Sequence, residues 1–183
     1  MRVATRKWNG LEVPAPGRWR IDEQASELAF VARYLRVMQL RMRFRRFEGT
    51  IDVAEDPAET RLEARVRTGS IDTGIGVLDR MICAPRILDA ERYPELGYAG
   101  TRVEVGEGAR LWLHGELTVR EVTRAVPLEV EYLGASEGRA GFRARAEIAH
   151  EEFLHWKQLL GIRGWLVGPR VRIELSIVAS PEA

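Results

Sequence analysis

Two histidines close together in the sequence are the first candidates for metal chemistry, because imidazole is a common ligand of zinc. A zinc-binding helix presents two histidines four residues apart on one face. His150 and His155 are five residues apart, which places them roughly 140° apart around a helix of about 3.6 residues per turn. We therefore expect no metal site here. His114 lies opposite the apolar positions of its segment and is expected to be an exposed or cross-strand residue.

A second polar group, Ser70, Asp72 and Asp79, precedes the single cysteine of the chain, Cys83. Serine and aspartate commonly cap turns with their own side chains, and no obvious base stands near Cys83 in the sequence, so a small buried side chain is its expected role. Gly74-Ile-Gly76 lacks the third glycine of a dinucleotide loop. We expect no catalytic residue, no cofactor and no enzymatic activity. An enzyme acting on an apolar substrate through Asp72, Asp79 or Cys83 is the less favoured alternative.

Arginines form a continuous stripe at Arg41, Arg43, Arg45 and Arg46. Concentrated arginine can bind the phosphates of nucleic acids or of a membrane surface. The whole chain, however, has 28 Lys and Arg against 27 Asp and Glu, a net charge of +1. We therefore expect a solvated outer face whose arginines pair with glutamates on neighbouring strands, and no nucleic-acid partner. The glutamates expected to pair with this stripe are Glu129, Glu131, Glu147 and Glu174.

The length of 183 residues suits one domain. Because Pro14, Pro16 and Gly17 break regular structure, residues 1–17 are expected to be an irregular tail and residues 18–183 to form the domain. The first residues show no apolar stretch of the signal-peptide type. No segment approaches the roughly 18 apolar residues of a membrane helix. We therefore expect a cytoplasmic protein without stable membrane insertion.

Alternation of apolar and polar residues dominates the sequence from residue 19 onward and predicts half-buried strands. It is clearest in residues 38–44, 62–68, 126–132, 142–148 and 171–177. Such strands joined by short turns predict antiparallel pairing, and many of them in one domain must close or stack to hide their edges. A change of parity predicts a β-bulge near Arg45–Arg46. Helical spacing of apolar residues in 75–90 and 151–160 predicts segments that cap or plug a barrel.

The predicted inward faces combine small and large side chains, which leaves two interpretations open. A closed barrel of about eight strands either fills its interior with side chains or holds one small ligand. Small residues leave space and methionines adapt to irregular apolar ligands, whereas in a tightly packed sandwich small and large residues interdigitate. The small residues are Ala64, Val66, Thr68, Ala144 and Ala146, and the large ones are Phe30, Met38, Met42 and Phe44. Alternation alone does not decide between a ligand cavity and a filled core.

Several short motifs follow one another in a recognisable order. The most specific stretch is Ser70-Ile-Asp-Thr-Gly74, then Asp79, Ile87-Leu-Asp-Ala90 and Tyr93-Pro94. The flanking blocks are Trp19-Arg-Ile-Asp22 with Ser26 and Phe30, Phe44 to Gly49, Gly115-Glu-Leu-Thr118 with Val122-Thr-Arg124 and Val126, and finally Phe153 and Val171-Arg-Ile173. In this order, over about residues 18–180, the chain resembles the YceI-like family. The resemblance implies an all-β, antiparallel, lipocalin-like barrel that encloses an apolar cavity.

The resemblance also implies a function, namely the binding, storage or transport of a long-chain apolar or amphiphilic ligand in the barrel lumen. An isoprenoid or a fatty-acid-like lipid would be such a ligand. A structural or interaction domain with a filled core is the alternative, and a homodimer is left open. The residues expected to contact the ligand are Phe30, Tyr34, Met38, Met42, Phe44, Ala64, Val66, Leu113, Phe142, Ala144, Ala146 and Ile173.

Overall fold

Antiparallel strands make up most of the computed structural model, which describes residues 5–34, 37–107, 110–153 and 167–182. The strands are β1 (Thr5–Trp8), β2 (Leu11–Pro14), β3 (Gly17–Ile21), β4 (Glu27–Tyr34), β5 (Met38–Phe44), β6 (Phe47–Val53), β7 (Arg61–Arg67), β8 (Ile71–Asp72), β9 (Glu95–Val105), β10 (Leu111–Val119), β11 (Val122–Ala125), β12 (Leu128–Ser136), β13 (Arg139–Ala149) and β14 (Val167–Pro181). One α-helix, α1 (Gly76–Cys83), lies between β8 and β9 in this part of the chain. Short 3-10 turns cover Pro57–Glu59, Thr68–Ser70 and His150–Glu152.

The sheet closes on itself into a barrel of eight antiparallel strands, in the order β14–β13–β12–β10–β9–β7–β6–β3 and back to β14. Closure depends on β14, which pairs with β13 along one edge and with β3 and β4 along the other. A closed ring leaves none of its strands with an open edge. The antiparallel strands predicted from the alternation and the lipocalin-like barrel implied by the family resemblance are therefore confirmed.

Beyond the ring, β4, β5 and β8 continue the wall at one end. The consecutive strands β3 to β6 therefore pair in two sets: β4 pairs with β5, and β3 pairs with β6. The change of parity predicts a β-bulge near Arg45 and Arg46, and the structure instead has a break between β5 and β6 at these two residues. Both arginines are exposed between the buried Phe44 and Phe47. The backbone of Arg45 bonds outside these two strands, because Arg45 N donates a hydrogen bond to Ser70 O at 3.0 Å.

The alternation seen in the sequence separates a dry inner face from a wet outer face. Along β6, for example, Phe47, Ile51 and Val53 are buried while Glu48 and Asp52 are exposed. Burying one such large apolar side chain contributes roughly 1.5–3 kcal/mol to stability. The inner faces of the ring strands supply most of one continuous apolar cluster, which lies inside the barrel.

One end of the barrel is covered by α1 and the turns that follow it, and we call it the helix end. Ile82 on α1 and Ile87 and Leu88 after it are buried in the main apolar cluster. The predicted capping role of residues 75–90 is in keeping with this arrangement. Most of the second predicted cap, residues 151–160, lies outside the described residues.

The opposite end of the barrel carries a β-hairpin formed by β1 and β2, and we call it the hairpin end. The expectation of an irregular tail is wrong for residues 5–14, because Asn9-Gly10 forms a two-residue turn with φ of 49° and 82°. Such positive φ values at both positions are typical of the tight turns that favour Asn-Gly. The hairpin is a separate two-stranded sheet and packs through β2 against β12.

Candidate functional site

The barrel lumen contains a cavity of about 170 Å³ whose wall is almost entirely apolar. Every strand of the ring contributes to that wall, and so do the hairpin and the Pro57–Glu59 turn. The lining side chains include Trp8, Val13, Ile21, Leu28, Phe30, Ile51, Leu62, Ala64, Val66, Leu96, Tyr98, Leu113, Leu117, Tyr132, Phe142, Ala144, Ile173, Leu175 and Ile177. Because no Asp, Glu, His, Lys or Arg is among the described residues that line it, this lumen cavity suits hydrocarbon and disfavours an unpaired charge.

A second, smaller cavity of about 70 Å³ lies towards the helix end. Its wall is formed by Phe30, Met42, Phe44, Ile71, Ile82, Leu88, Leu96, Val119, Ile148, His150, Phe153 and Val171. Phe30 and Leu96 line both cavities, so the two cavities are neighbours. The Phe30 ring is held edge-on against Phe44, with 5.5 Å between centroids and 76° between planes. We call this smaller space the helix-end cavity.

Most of the residues predicted to contact a ligand line one of these two cavities. Phe30, Ala64, Val66, Leu113, Phe142, Ala144 and Ile173 line the lumen cavity, and Phe30, Met42 and Phe44 line the helix-end cavity. Distant segments of the chain are therefore brought together at one site. Whether these side chains contact a ligand stays a prediction.

Three residues of the predicted set have a different outcome. Met38 is 57 % exposed, because it begins β5 where the wall projects beyond the ring, and it lines neither cavity; its contact with a ligand stays a prediction. Ala146 faces inward beside Ile173 and packs against the apolar cluster, yet it lines neither cavity wall. The backbone of Tyr34 ends β4, and its side chain lies outside the described part of the chain.

Sequence reasoning missed the contribution of the N-terminal hairpin to the site. Trp8, Val13 and Pro14 close the lumen cavity at the hairpin end. Arg6 fixes the hairpin to the loop after β6, because its guanidinium donates to the carbonyl oxygens of Ala54 and Glu55. The Asn-Gly pair flanked by apolar residues was the signal that could have revealed this element.

Two tyrosines place hydroxyl groups in the apolar wall of the lumen cavity. The Tyr98 hydroxyl lies 2.9 Å from Val126 O and 3.3 Å from Leu113 O, to either of which it can donate. The Tyr132 hydroxyl is buried and has no hydrogen-bond partner within residues 5–34, 37–107, 110–153 and 167–182. Burial raises the pKa of both phenols, so both are protonated donors at neutral pH.

The polar cluster that raised the question of catalysis stabilises local turns. Asp72 accepts hydrogen bonds from Arg45 Nε at 2.8 Å and from Gly74 N at 2.8 Å, and the bond from Arg45 lowers the pKa of this carboxyl. Asp79 accepts from Thr73 N at 2.8 Å and from Thr73 Oγ1 at 2.6 Å. Burial, followed by the charge of Asp79, raises the pKa of the Cys83 thiol. A thiol kept protonated in this way is a poor nucleophile.

The arginine stripe is paired with acidic residues on the outer face, but with partners that differ from those expected. Arg41 contacts Glu27 and Glu174, the latter at 2.6 Å, so only Glu174 of the predicted glutamates pairs with the stripe. The other stripe pairs are Arg43–Glu27, Arg45–Asp72 and Arg46–Glu23. Glu129, Glu131 and Glu147 pair instead with Arg145, Arg143 and Arg170. Strand order, which the sequence does not reveal, decides these partners.

The described residues contain neither a candidate metal site nor a helix that could span a membrane. Within those ranges, histidine, cysteine and acidic side chains form no group of three that could hold a metal ion. His155, the second histidine of the pair His150 and His155, lies outside them. No helix in the described part of the chain is long and apolar enough to cross a membrane.

Comparison with known proteins places this barrel in a family. A family model described as the YceI-like domain matches residues 19–179. Protein YceI of Escherichia coli O157:H7 is 28% identical over 143 residues, covering 74% of each chain. A UPF0312 protein of Photorhabdus laumondii is 29% identical over 139 residues, covering 73% of this chain and 72% of its own length.

Solved structures share the same fold at low sequence identity. BcnA of Burkholderia cenocepacia superposes with a TM-score of 0.78 at 17% identity, covering 87% of this chain and 99% of its own. A domain of Saccharophagus degradans, described as a polyisoprenoid-binding domain implicated in plant cell wall breakdown, gives a TM-score of 0.70 at 14% identity. The superposition covers 90% of this chain and 98% of that domain.

Proposed function

Because the chain belongs to the YceI-like family, we propose that it binds a long-chain apolar or amphiphilic ligand in the barrel lumen, as a carrier or store. The observation that carries this proposal is the lumen cavity of about 170 Å³, walled by side chains from all eight ring strands. A filled core would leave no such void, since native interiors contain few spaces larger than a water molecule.

The chemistry of the wall favours hydrocarbon. Each methylene group transferred from water into such surroundings contributes roughly 0.8 kcal/mol, so a chain of several methylenes or isoprene units gains affinity with every carbon enclosed. A charged group gains no affinity inside this wall unless a counter-charge or hydrogen-bond partner accompanies it. The wall therefore selects for apolar length and leaves the choice of head group to other residues.

The helix-end cavity provides additional space for a long ligand chain. Strand β13 has 11 residues, and at about 3.4 Å per residue with a tilt of about 40° the barrel wall is roughly 28 Å tall. Phe30 and Leu96 line both the lumen cavity and the helix-end cavity, so the two cavities are neighbours. Rotation of these side chains would join both cavities into a single channel for an extended chain. The description of the S. degradans domain as polyisoprenoid-binding supports this class of ligand.

Native mass spectrometry of freshly purified protein, followed by solvent extraction, tests the proposal. We expect a bound species of several hundred daltons that is released into the organic phase and whose removal restores capacity for added lipid. Protein that emerges without ligand and fails to take up any long-chain lipid after delipidation would favour a structural role. Covalent conversion of an added apolar substrate, abolished in Cys83→Ala, would favour the enzymatic alternative.

A further inference from the structure

A surface groove lies on the other side of the wall that encloses the lumen cavity. The groove has a volume of about 420 Å³ and runs between β2 of the hairpin and the outer faces of β10, β12 and β13. Leu111, Val130, Tyr132 and Ala144 line both the groove and the lumen cavity. These four residues therefore lie between the apolar interior and the solvent-filled groove.

Tyr132 is the polar member of this shared wall. Its ring packs against Phe142, with 5.3 Å between centroids, and its hydroxyl is buried without a hydrogen-bond partner among the described residues. The strand register shifts directly after Tyr132, where Gly134 has a φ of 98°. Such bulges re-aim the side chains next to them. A buried hydroxyl without a partner is costly, which points to a ligand atom as its missing acceptor.

Charges around the groove indicate what kind of acceptor fits. The groove is lined by three cations, Arg110, Arg143 and Arg145, and by three carboxylates, Glu12, Glu129 and Glu131. Each arginine forms an ion pair with Glu129 or Glu131. Burial, followed by the negative charge of Glu12 on β2, raises the pKa of the Tyr132 phenol. With the arginines paired and Glu12 nearby, an anionic head group finds no free counter-charge.

We propose that Tyr132 is the head-group contact of the site, and that its hydroxyl donates a hydrogen bond to an uncharged oxygen of an amphiphile whose chain occupies the lumen cavity. The head group is an alcohol or a carbonyl, and a carboxylate or phosphate is disfavoured. The ligand then enters tail-first with its polar end beneath the hairpin, facing the groove. This inference rests on the proposed function, because it assigns the head of the ligand whose chain that function places in the lumen.

Matched sixteen-carbon probes test the assignment, each titrated by displacement of neutral 1-aminoanthracene from delipidated protein. The probes are hexadecane, hexadecan-1-ol, methyl hexadecanoate and the hexadecanoate anion. We expect the wild-type chain to bind the alcohol and the ester more tightly than the alkane, and the anion most weakly. In Tyr132→Phe, affinity for the alcohol and the ester should fall by about twofold to tenfold, the range for one neutral hydrogen bond, while affinity for the alkane stays unchanged.

Tyr132→Phe also distinguishes recognition of the ligand head group from a structural role of the Tyr132 hydroxyl. Because Tyr132→Phe removes a buried hydroxyl without a partner, its ligand-free melting temperature should equal or exceed that of the wild type. An equal loss of affinity for alkane and alcohol, no loss for either, or a wild-type preference for the anion would overturn the assignment while leaving the carrier function standing. Failure of the wild type to bind any of the four probes would overturn both.

Discussion

Replacing Ala64 with phenylalanine distinguishes an open lumen from a filled core. Ala64 faces the lumen cavity from β7, opposite Gly49 on β6, so a larger side chain there grows into the void. A cavity of about 150 Å³ can hold one benzene molecule, and the lumen cavity measures about 170 Å³. A phenyl ring at this position should therefore occupy most of the lumen cavity.

The effect of Ala64→Phe on the unfolding free energy has opposite signs for an open lumen and for a filled core. Filling a void recovers about 24 cal/mol per Å³, so even half of the 170 Å³ corresponds to about 2 kcal/mol, or a rise of roughly 4–8 °C in melting temperature. In a filled core the same substitution is overpacking, which lowers the unfolding free energy by about 1–3 kcal/mol. The ligand-free variant should thus melt at or above the wild-type temperature.

Two measurements on the same samples complete the test. Calorimetry on delipidated protein gives the melting temperature, and titration with a fluorescent long-chain lipid gives the affinity, which should fall at least tenfold in Ala64→Phe. Ala99→Phe is the matched control, because Ala99 is exposed on the neighbouring strand β9, and it should leave lipid affinity unchanged. A large fall in melting temperature together with unchanged lipid affinity would refute the open-lumen interpretation.

Three further predictions follow from individual contacts. A Cβ at Gly49 would lie 2.7 Å from Ile21 Cδ1 and close to backbone, so Gly49→Ala should lower the unfolding free energy in urea by about 1–3 kcal/mol. The hydrogen bond from Arg41 lowers the pKa of Glu27. The Glu27 carboxylate therefore stabilises the fold at a pH above its unfolded pKa, and this contribution is lost as the pH falls through the lower folded pKa. NMR titration of Arg41→Gln should show the Glu27 pKa returning upward. Burial raises the pKa of the Cys83 thiol, so Ellman's reagent at pH 8 should react with it more slowly than with free cysteine, and an equal or faster rate would contradict this.

The half-buried strands are predictable from the sequence because their alternation has one simple physical cause. Residues such as Phe47, Ile51 and Val53 keep one face dry along a strand, and the same rule brings Ala64, Val66 and Ala144 to the lumen. Alternation does not reveal where a wall ends. Met38 continues the apolar parity of β5 but lies beyond the ring and is exposed, so the pattern alone does not distinguish an exposed strand end from the cavity wall.

Features that depend on three-dimensional neighbours could not be predicted from the sequence. The missing partner of the Tyr132 hydroxyl depends on which strands surround it, and the partners of the arginine stripe depend on strand order. The hairpin is a different case, because its Asn9-Gly10 turn is a local signal that the nearby prolines concealed. Its effect on the site, closure by Trp8 and Val13, emerges only when the hairpin is placed against the barrel.

The central position of β14 has a consequence for the kinetics of folding. Its last residues pair with β3, so that Ala179 lies opposite Ile21, and contacts so distant in sequence form slowly because a very long loop must close first. During synthesis, β3, β4 and β13 leave the ribosome before β14 and keep unpaired edges until it arrives. Such edges are sites of aggregation. We therefore expect the final docking of β14 to limit the rate of barrel assembly and to fix the moment at which the lumen becomes enclosed.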